Sequence, residues 1–324
     1  MWPKPPRRTS PVAPMLAVRP YVAADAGAWD AVVEHSRNGN LLHRRGYMDY
    51  HADRFIDASL MIERRGEAAA VFPASRLGDV VTSHGGLTYA GLISSHALRA
   101  ESTLAVFEQM AGWYRAHGVQ RIVYKAVPHV FHAYPAEEDL YALQRMGARL
   151  VRRDLSSVIA LQEPFRFTEP RRRAVRKAGR AGISLDVGTD PASFHALLSD
   201  VLRKHQTTPT HSLAELRLLQ ARFPDRIVLH EARREGVLLA GAVVYDLGRV
   251  VHTQYLAASD EGRELDALSF LLAALIGSTY ADRQYFSFGV STEQAGTVLN
   301  GGLVAQKEYF GARGIAHDFY EWPL

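Results

Sequence analysis

The chain of 324 residues contains no cysteine. This absence excludes disulfides, thiolate zinc sites, iron–sulfur clusters and catalysis by a thiolate nucleophile. Long apolar segments are missing too: the longest, 265–277, has about a dozen residues and includes Asp266 and Ser269, against the ~20 needed to span a bilayer. The Pro-rich N-terminus has no apolar core typical of a signal peptide. We therefore expect a cytoplasmic protein without membrane contact.

Lysine is scarce as well, since only five of the 38 basic side chains are lysine. Against 34 acidic side chains the formal net charge is +4. The planar guanidinium of arginine pairs well with phosphate and carboxylate, so an anionic ligand is permitted. Net charge by itself bears only on solubility and non-specific binding.

The composition, 47% hydrophobic and 22% charged, is that of a globular protein, and the length suggests two domains. The chain contains an internal repeat. SLMIE at 59–63 corresponds to IVLHE at 227–231, and LGDVV at 77–81 corresponds to LGRVV at 247–251. Glycine-containing turns separate the apolar runs in both copies, which predicts two three-stranded meanders.

Each meander is followed by a predicted helix, at 101–117 and 265–280, and then by a strand, at 121–125 and 284–288. Helical segments at 28–55 and 191–223 precede the meanders. A helical crossover requires parallel flanking strands, so the fold class is α/β with mixed sheets, built as a tandem duplication. We expect the seam near Thr168, with a disordered tail at 1–18, an N-terminal domain at 19–165 and a C-terminal domain at 166–324.

The segment SDEGRE at 259–264 lies where the second copy passes from strand to helix. The first turn of a helix has free backbone N–H groups, which favour a pyrophosphate. Ser259 can cap this helix, Gly262 allows close backbone approach, and Arg263 can pair with a phosphate.

The repeat, the loop AASDEGRELDAL and the segment QKEYFGA at 306–312 resemble the tandem-domain, FemAB-like branch of the GNAT superfamily. HRRGYMDYHADRF, SHGGLTYAGLI, YPAEEDLYAL, VRRDLSS, VHTQYLAASDEG and FGARG are similar to acyl-CoA-dependent sugar N-acyltransferases of nucleotide-sugar pathways. The resemblance runs from about residue 29 to 320. It implies two GNAT-like domains, acyl-CoA as donor, a dTDP-linked amino sugar as acceptor and no metal. The Arg/Gln-x-x-Gly-x-Gly/Ala signature is absent at 260–267, so the phosphate contacts and a donor other than coenzyme A stay open.

On this resemblance the second copy holds coenzyme A, and its third strand holds the thioester carbonyl. In a regular strand His252 and Gln254 point to one face, and Thr253 and Tyr255 to the other. The predicted coenzyme-binding residues are Gln254, Leu256, Ala258, Ser259, Gly262, Arg263 and Glu264.

Direct transfer from a thioester to an amine needs a deprotonated amine, donors for the oxyanion and a proton for the leaving thiolate. His84, in the glycine-rich segment SHGGLTY, is the predicted base; the alternative is a structural hydrogen bond in a turn. The resemblance implies that Lys307 lies near the reacting centre, where it holds a phosphate or stabilises charge, and that Tyr309 protonates the thiolate. A surface position is the alternative for Lys307.

The acceptor is expected in the cleft between the copies. A basic helix at 171–180 could bind the nucleotide diphosphate, the coenzyme phosphates or tRNA, or be solvated. His195, His205 and His211 are interpreted as structural or cleft-lining, and HVFH at 129–132 is too weak a pattern to indicate a metal. The predicted substrate-binding residues are Ser83, Gly85, Gly86, Thr88, Tyr89, Arg172, Arg173, Arg176, His252 and Ser291.

The sequence thus predicts an N-acyltransferase that moves an acyl group from acyl-CoA to the amine of a nucleotide-linked amino sugar. Two alternatives are a FemAB-type transferase that uses aminoacyl-tRNA, and a non-catalytic protein that binds acyl-CoA or a nucleotide sugar. Nucleic acid is not the expected partner. The acyl length, the acceptor's identity and the choice between monomer and homodimer stay open.

Overall fold

A computed structural model describes residues 16–204 and 206–324. Most of the predicted tail and His205 lie outside these residues, while 16–18 belong to the first strand. The strands are β1 (Leu16–Pro20), β2 (Ile56–Asp57), β3 (Leu60–Arg64), β4 (Glu67–Phe72), β5 (Ser75–Leu77), β6 (Val80–Thr82), β7 (Ile93–Ser94), β8 (Arg121–Lys125), β9 (Arg149–Ala160), β10 (Ser184–Gly188), β11 (Ile227–Arg234), β12 (Val237–Asp246), β13 (Val250–Ala258), β14 (Tyr285–Val290), β15 (Thr292–Glu293), β16 (Val298–Leu299) and β17 (Arg313–Pro323). The α-helices are α1 (Ala26–Glu34), α2 (Arg45–Met48), α3 (Ala100–Ala116), α4 (Glu138–Arg145), α5 (Glu169–Ala178), α6 (Ala192–Arg203), α7 (Leu213–Arg222), α8 (Asp260–Glu264), α9 (Ala267–Ala274) and α10 (Gly301–Glu308).

One sheet of eleven strands runs through the whole molecule, in the order β10-β11-β12-β13-β14-β9-β17-β8-β6-β5-β2. We call residues 16–165 the first half and 166–324 the second half. The halves exchange strands at the centre of this sheet: β9 of the first half pairs with β14, and β17 of the second half pairs with β8. The two exchanged strands also pair with each other, from Arg313–Val158 to Glu321–Arg149.

The predicted α/β fold class with mixed sheets is confirmed. Both helical crossovers join parallel strands, β6 with β8 and β13 with β14, while the neighbouring pairs are antiparallel. The second meander forms as expected from β11, β12 and β13.

The first meander differs from the prediction because it is divided between two sheets. Its second strand stops at Phe72, before Pro73, which has no N–H to donate to a ladder. β4 therefore belongs to a small sheet in the order β1-β3-β4-β7, and the chain enters the large sheet only at β5 and β6.

The predicted helix at 265–280 is also interrupted. Asp266 adopts a left-handed conformation (φ 57°) between α8 and α9, and residues Leu275–Thr279 form a π-helical turn. α8 and α9 together still make the crossover from β13 to β14. Among the described residues, no helix is both long and apolar enough to cross a bilayer.

The junction between the halves is a continuous apolar core. Tyr47 of the first half packs edge-on against Tyr245 of the second, with ring centroids 5.9 Å apart, and both rings are buried. Trp29, Met48 and Phe194 lie in the same cluster. Because each fully buried large apolar side chain contributes about 1.5–3 kcal/mol, this core holds the two halves together.

Candidate functional site

The parallel strands β13 and β14 separate after a short paired stretch. The pairs are Val250 with Tyr285, Val251 with Phe286 and His252 with Ser287. Beyond them β13 continues to Ala258, and among the described residues β12 is its only partner strand there. One backbone edge of β13 is therefore free for a ligand that carries amide groups.

A β-bulge interrupts β13 where the strands separate. Tyr255 pairs with Val243 and Thr253 with Val244, so Gln254 has no partner on β12. The alternation expected for residues 252–255 is therefore wrong, because a bulge turns successive side chains toward the same side. His252, Thr253 and Gln254 all line one cavity.

This central cavity, of about 250 Å³, lies between the two halves. The first half contributes Leu42, Thr88 and Tyr89, and the second half contributes the end of β14 and His317 of β17. No Lys, Arg, Asp or Glu is among the residues that line it. The remaining lining residues are Tyr245, Leu247, His252, Thr253, Gln254, Phe288, Gly289 and Val290.

Two neutral imidazoles face the central cavity. Desolvation lowers the pKa of His252 to about 3 and that of His317 to about 4. His252 Nδ1 lies 3.1 Å from Ser287 Oγ, whereas both ring nitrogens of the buried His317 lack a partner. Both side chains are therefore uncharged at neutral pH and able to accept a proton or a hydrogen bond.

Lys307 stabilises one wall of the central cavity by hydrogen bonds. Its ammonium is buried and donates to the carbonyls of Gly289 (2.8 Å) and Val290 (2.7 Å) and to Ser291 Oγ (2.8 Å). Desolvation lowers its pKa to about 8. All three donors are used within the protein, and burial contradicts the surface position. The predicted role of Lys307 near the reacting centre stays a prediction. Ser291, a predicted substrate ligand, is fully buried as its partner.

Two further cavities lie on the free side of β13. One, of about 310 Å³, is lined by Leu256, Ala257, Ala258 and Gly262 together with Arg171 of α5, and we call it the α5 cavity. The other, of about 570 Å³, adjoins it through Ala258 and Arg263, and we call it the α6 cavity. Its lining includes Ser259, Arg203 and Lys204, so four cationic side chains surround the two cavities, together with the carboxylates of Asp200, Asp260 and Asp266.

The comparisons with known proteins agree with this geometry. Residues 169–295 match the model of the acetyltransferase (GNAT) domain. The second half carries a GNAT acetyltransferase domain. The prediction of an acyltransferase with a GNAT domain is thereby confirmed, and the predicted tandem, FemAB-like arrangement is confirmed as a fold by solved structures. No curated protein matches the chain in sequence.

The tandem GNAT fold extends over both halves of the described chain. The crystal structure of FemX is similar at 13% identity with a TM-score of 0.70, covering 95% of this chain and 97% of that one. L-PGS from Bacillus licheniformis is similar at 12% identity and a TM-score of 0.60, covering 94% and 93%. A tandem GNAT protein from the clavulanic acid biosynthesis pathway is similar at 11% identity and a TM-score of 0.52, covering 95% and 98%.

In this tandem-GNAT protein the predicted base, His84, does not line the central cavity. Its ring lies 5.2 Å from that of His51 and 5.3 Å from that of Phe55, and desolvation lowers its pKa to about 3. Gly85 and Gly86 carry the backbone directly over these rings, since a Cβ at 86 would lie 1.9 Å from His51 Nε2.

The loop that contains His84 is hydrogen-bonded to the end of β8. Lys125, at the end of β8, donates from Nζ to the carbonyls of His84 (2.7 Å) and Leu87. Its backbone N–H donates to Ser83 Oγ at 2.7 Å. The same loop then delivers Thr88 and Tyr89 to the central cavity, so two of the predicted substrate-binding residues reach it and Ser83 serves as a support.

The basic helix α5 presents a different arginine from those predicted. Arg172 and Arg176 pair with Glu169 on the exposed face, and Arg173 lies 4.0 Å from the same carboxylate. Arg171 instead lies over the ring of Phe310 at 4.4 Å, lines the α5 cavity and has a buried, unpartnered Nε.

The helix start at 259–264 is partly as predicted. Ser259 caps α8, and its hydroxyl accepts from the N–H of Gly262 at 3.0 Å. The sequence predicted that the absence of a side chain at Gly262 allows a ligand to come close to the backbone. In the structure β12 takes that space, because a Cβ at position 262 would lie 2.0 Å from the Leu239 carbonyl oxygen. Arg263 donates to the Ala258 carbonyl (2.8 Å), and Glu264 is exposed outside both cavities.

Sequence reasoning missed His317, Tyr245, Arg171 and Lys125. In the sequence, Arg171 is one member of a basic run and Lys125 is one member of a predicted strand, so neither stands out. His317 belongs to a strand whose partner strands are distant in sequence. Tyr309, the predicted acid, caps the end of α10 and is 47% exposed. In the part of the chain that is described, no group of three or more His, Asp or Glu is arranged to hold a metal.

Proposed function

We propose that this acyltransferase moves an acyl group from acyl-CoA to the amine of a nucleotide-linked amino sugar. The second half holds the donor along the free edge of β13, and the acceptor's sugar occupies the central cavity. The observation that carries this proposal is the separation of β13 from β14, which connects the α5 cavity, the free strand edge and the central cavity.

The donor side suits coenzyme A in chemistry. Pantetheine carries amides that can pair with the open backbone of β13 as an added strand does. The unpartnered Nε of Arg171 is available as a donor to a phosphate. In the first half, Lys125 holds the loop that follows β6 against the end of β8. We infer one donor per chain.

The central cavity suits a sugar. Aromatic side chains and neutral hydroxyl, amide and imidazole groups line it. An adjoining cavity of about 250 Å³ shares Leu247 and is lined by Arg44 and Arg226 together with their carboxylate partners Glu34 and Asp246. We infer that the diphosphate lies outside the uncharged central cavity.

The chain's own groups serve a direct attack of the amine on the thioester. Neutral His317 accepts the proton of the attacking amine, and His252 orients the acceptor through its partnership with Ser287. Gln254 has no strand partner on either side, so its backbone N–H can stabilise the developing oxyanion. The bound acyl-CoA supplies the activated carbonyl.

The experiment is an assay of free thiol release from acetyl-CoA and longer acyl-CoAs with a panel of dTDP-amino sugars. Acceptor-dependent thiol release with formation of the amide supports the proposal. Transfer from aminoacyl-tRNA instead of acyl-CoA would replace the donor and favour the FemAB-type alternative. Binding of acyl-CoA without thiol release across the panel would overturn the proposal.

A further inference from the structure

The central cavity lacks the group that would hold an ammonium ion. Among the described residues that line it, none is Asp or Glu. Residues 1–15 and 205, which lie outside the described ranges, include no acidic residue either. A charged amine that enters this cavity therefore meets no carboxylate on the wall.

The carboxylates next to the lining residues are already paired. Asp154 is the strand partner of His317, Asp318 follows His317 in the chain, and Asp246 precedes the lining residue Leu247. Each of the three lies within hydrogen-bond distance of a guanidinium, so its negative charge is compensated before it can act on the cavity. The pairs are Asp154 with Arg152 (2.7 Å), Asp318 with Arg153 (2.6 Å) and Asp246 with Arg283 (2.9 Å).

A positive charge is held in the cavity wall without a carboxylate partner. The ammonium of Lys307 donates to the carbonyls of Gly289 and Val290, both of which line the cavity. Desolvation is the main cause of the low pKa of His252, and the charge of Lys307 contributes to it, so this charge acts on the cavity. A bound ammonium would lose its hydration and face a like charge, which makes its burial costly.

The two imidazoles of the cavity cannot take the surplus proton of an ammonium. The pKa of His252 is about 3 and that of His317 about 4, far below the pKa of an amine. After attack on the carbonyl the nitrogen becomes much more acidic, so His317 can still serve as the base at that later stage. The proton that makes the free amine an ammonium has to leave in water.

We propose that the central cavity takes the acceptor amine only in its uncharged form, so that the amine gives its proton to water before it binds. This inference rests on the proposed function, which puts the acceptor in this cavity. The acceptor class is then weakly basic amines, such as those next to electron-withdrawing C–O bonds on a sugar ring.

The size of the selection follows from the uncharged fraction. An α-amino group, which also has an electron-withdrawing neighbour, titrates near pH 8, against about 10.4 for a lysine side chain. At pH 7 about 10% of the first and about 0.04% of the second is uncharged. An alkylamine like that of lysine should therefore bind about 250-fold more weakly than a weakly basic amine of equal intrinsic affinity.

Binding calorimetry without acyl-CoA tests the inference. The probes are a dTDP-linked amino sugar and the same nucleotide sugar with a hydroxyl in place of the amine, which measures and subtracts the protons exchanged by protein groups. Titrations at pH 7 in phosphate and in Tris should show release of about 0.9 proton for an amine that titrates near pH 8. Between pH 6 and 7, below the pKa of Lys307 at about 8, the Kd of the amino sugar should fall about tenfold and that of the hydroxyl analogue should stay constant.

A carboxylate placed in the cavity should reverse the selection. Thr88 lines the cavity and is exposed, so it tolerates a longer side chain. Thr88→Glu should retain the ammonium and lower the proton release below about half of the wild-type value, because a nearby carboxylate favours the charged amine. Thr88→Gln, of equal size and without charge, should keep the wild-type release. Equal release from the two variants would show that the missing carboxylate is not what excludes the ammonium.

The failure of this inference differs from the failure of the proposed function. Acyl transfer by a wild-type protein that releases no proton on binding the amino sugar would overturn this inference alone. Proton release on binding, without acyl transfer from any acyl-CoA, would contradict the proposed function and support the selection of the uncharged amine. If neither nucleotide sugar binds, the assignment of the acceptor is wrong and this inference falls with it.

Discussion

Lys307 Nζ lies 2.8 Å from Ser291 Oγ and thereby ties α10 to the end of β14. The same ammonium holds the carbonyls of Gly289 and Val290, which form a wall of the central cavity. A cation that is buried without a carboxylate is costly, so its three hydrogen bonds must offset the desolvation. Lys307 therefore acts on the shape of the site rather than on a bound anion.

Replacing Lys307 by methionine should destabilise the protein. Two carbonyls and a hydroxyl would lose their hydrogen-bond donor, and a buried polar group left unsatisfied lowers the free energy of unfolding by about 1–3 kcal/mol. Urea unfolding measures the free energy. Lys177→Met is the matched control, because Lys177 is exposed and its pair with Asp266 contributes little. Equal stability of the two variants would contradict the role of Lys307 in the wall.

Gly262 and Gly277 give a second matched comparison. Gly262→Ala would place a Cβ 2.0 Å from the Leu239 carbonyl oxygen, and relieving that clash should cost about 1–3 kcal/mol. Gly277→Ala meets no atom within 4 Å and should be neutral or stabilising by up to about 1 kcal/mol. Thermal unfolding of the two variants provides the test. A stable Gly262→Ala protein would show that α8 can move away from β12.

Stability should fall steeply as the pH drops below 6.5. Burial lowers the pKa of seven histidines to about 3 or about 4, so between pH 6.5 and 4 the unfolded chain binds protons that the folded chain does not. Each such group reduces the free energy of unfolding by up to about 1.4 kcal/mol per pH unit in that window. The seven are His43, His51, His84, His211, His230, His252 and His317.

Urea unfolding at several pH values measures this loss. A double variant His51→Gln, His84→Gln should have a shallower dependence on pH, whereas His129→Gln at an exposed position should keep the wild-type slope. Parallel curves for all three proteins would contradict the assignment of the buried neutral histidines.

His317→Phe should lower kcat by about 10²–10⁴, the usual effect of removing a general base. The affinity for acyl-CoA should stay unchanged, because His317 lies in the central cavity and not along the donor edge of β13. Thiol release and calorimetric binding separate the two quantities. His84→Phe provides the competing variant, and a larger loss of kcat there, with donor binding retained, would restore His84 as the base.

Arg171→Gln should weaken acyl-CoA binding about tenfold or more, the effect of one lost charge-assisted hydrogen bond at about 1.5–3 kcal/mol. Arg172→Gln should have a small effect, since that side chain pairs with Glu169 on the exposed face. Calorimetric titration with acetyl-CoA compares them on the same helix. Equal affinities would place the donor phosphates elsewhere.

Local sequence signals predicted much of the fold. The repeated apolar runs and turns gave the second meander, both crossovers and a helix that begins at Glu169, because these features depend on neighbours in sequence. The bulge at Gln254 escaped prediction because its sequence looks like an ordinary strand. The side of α5 that faces the protein depends on Phe310, which lies far along the chain.

The candidate site was predicted in outline only. His252, Gln254, Thr88 and Tyr89 meet in one cavity, as a cleft between two copies implies. His317 enters that cavity only because β17 crosses into the sheet of the first half. Such a pairing over long sequence separation leaves no local pattern. Charged side chains were over-interpreted for a different reason: the local partner Glu169 was overlooked, and Arg172, Arg173 and Arg176 all lie near its carboxylate on their own helix.

The exchange of β9 and β17 governs the order in which the molecule can be assembled during synthesis. β8 and β9 each need β17 as a neighbour, and β17 is made more than 150 residues after β9. Until the ribosome has released that strand, the first half has open edges at the centre of its sheet. The chain therefore completes both halves in a single late step, and the same step brings His317 into the site.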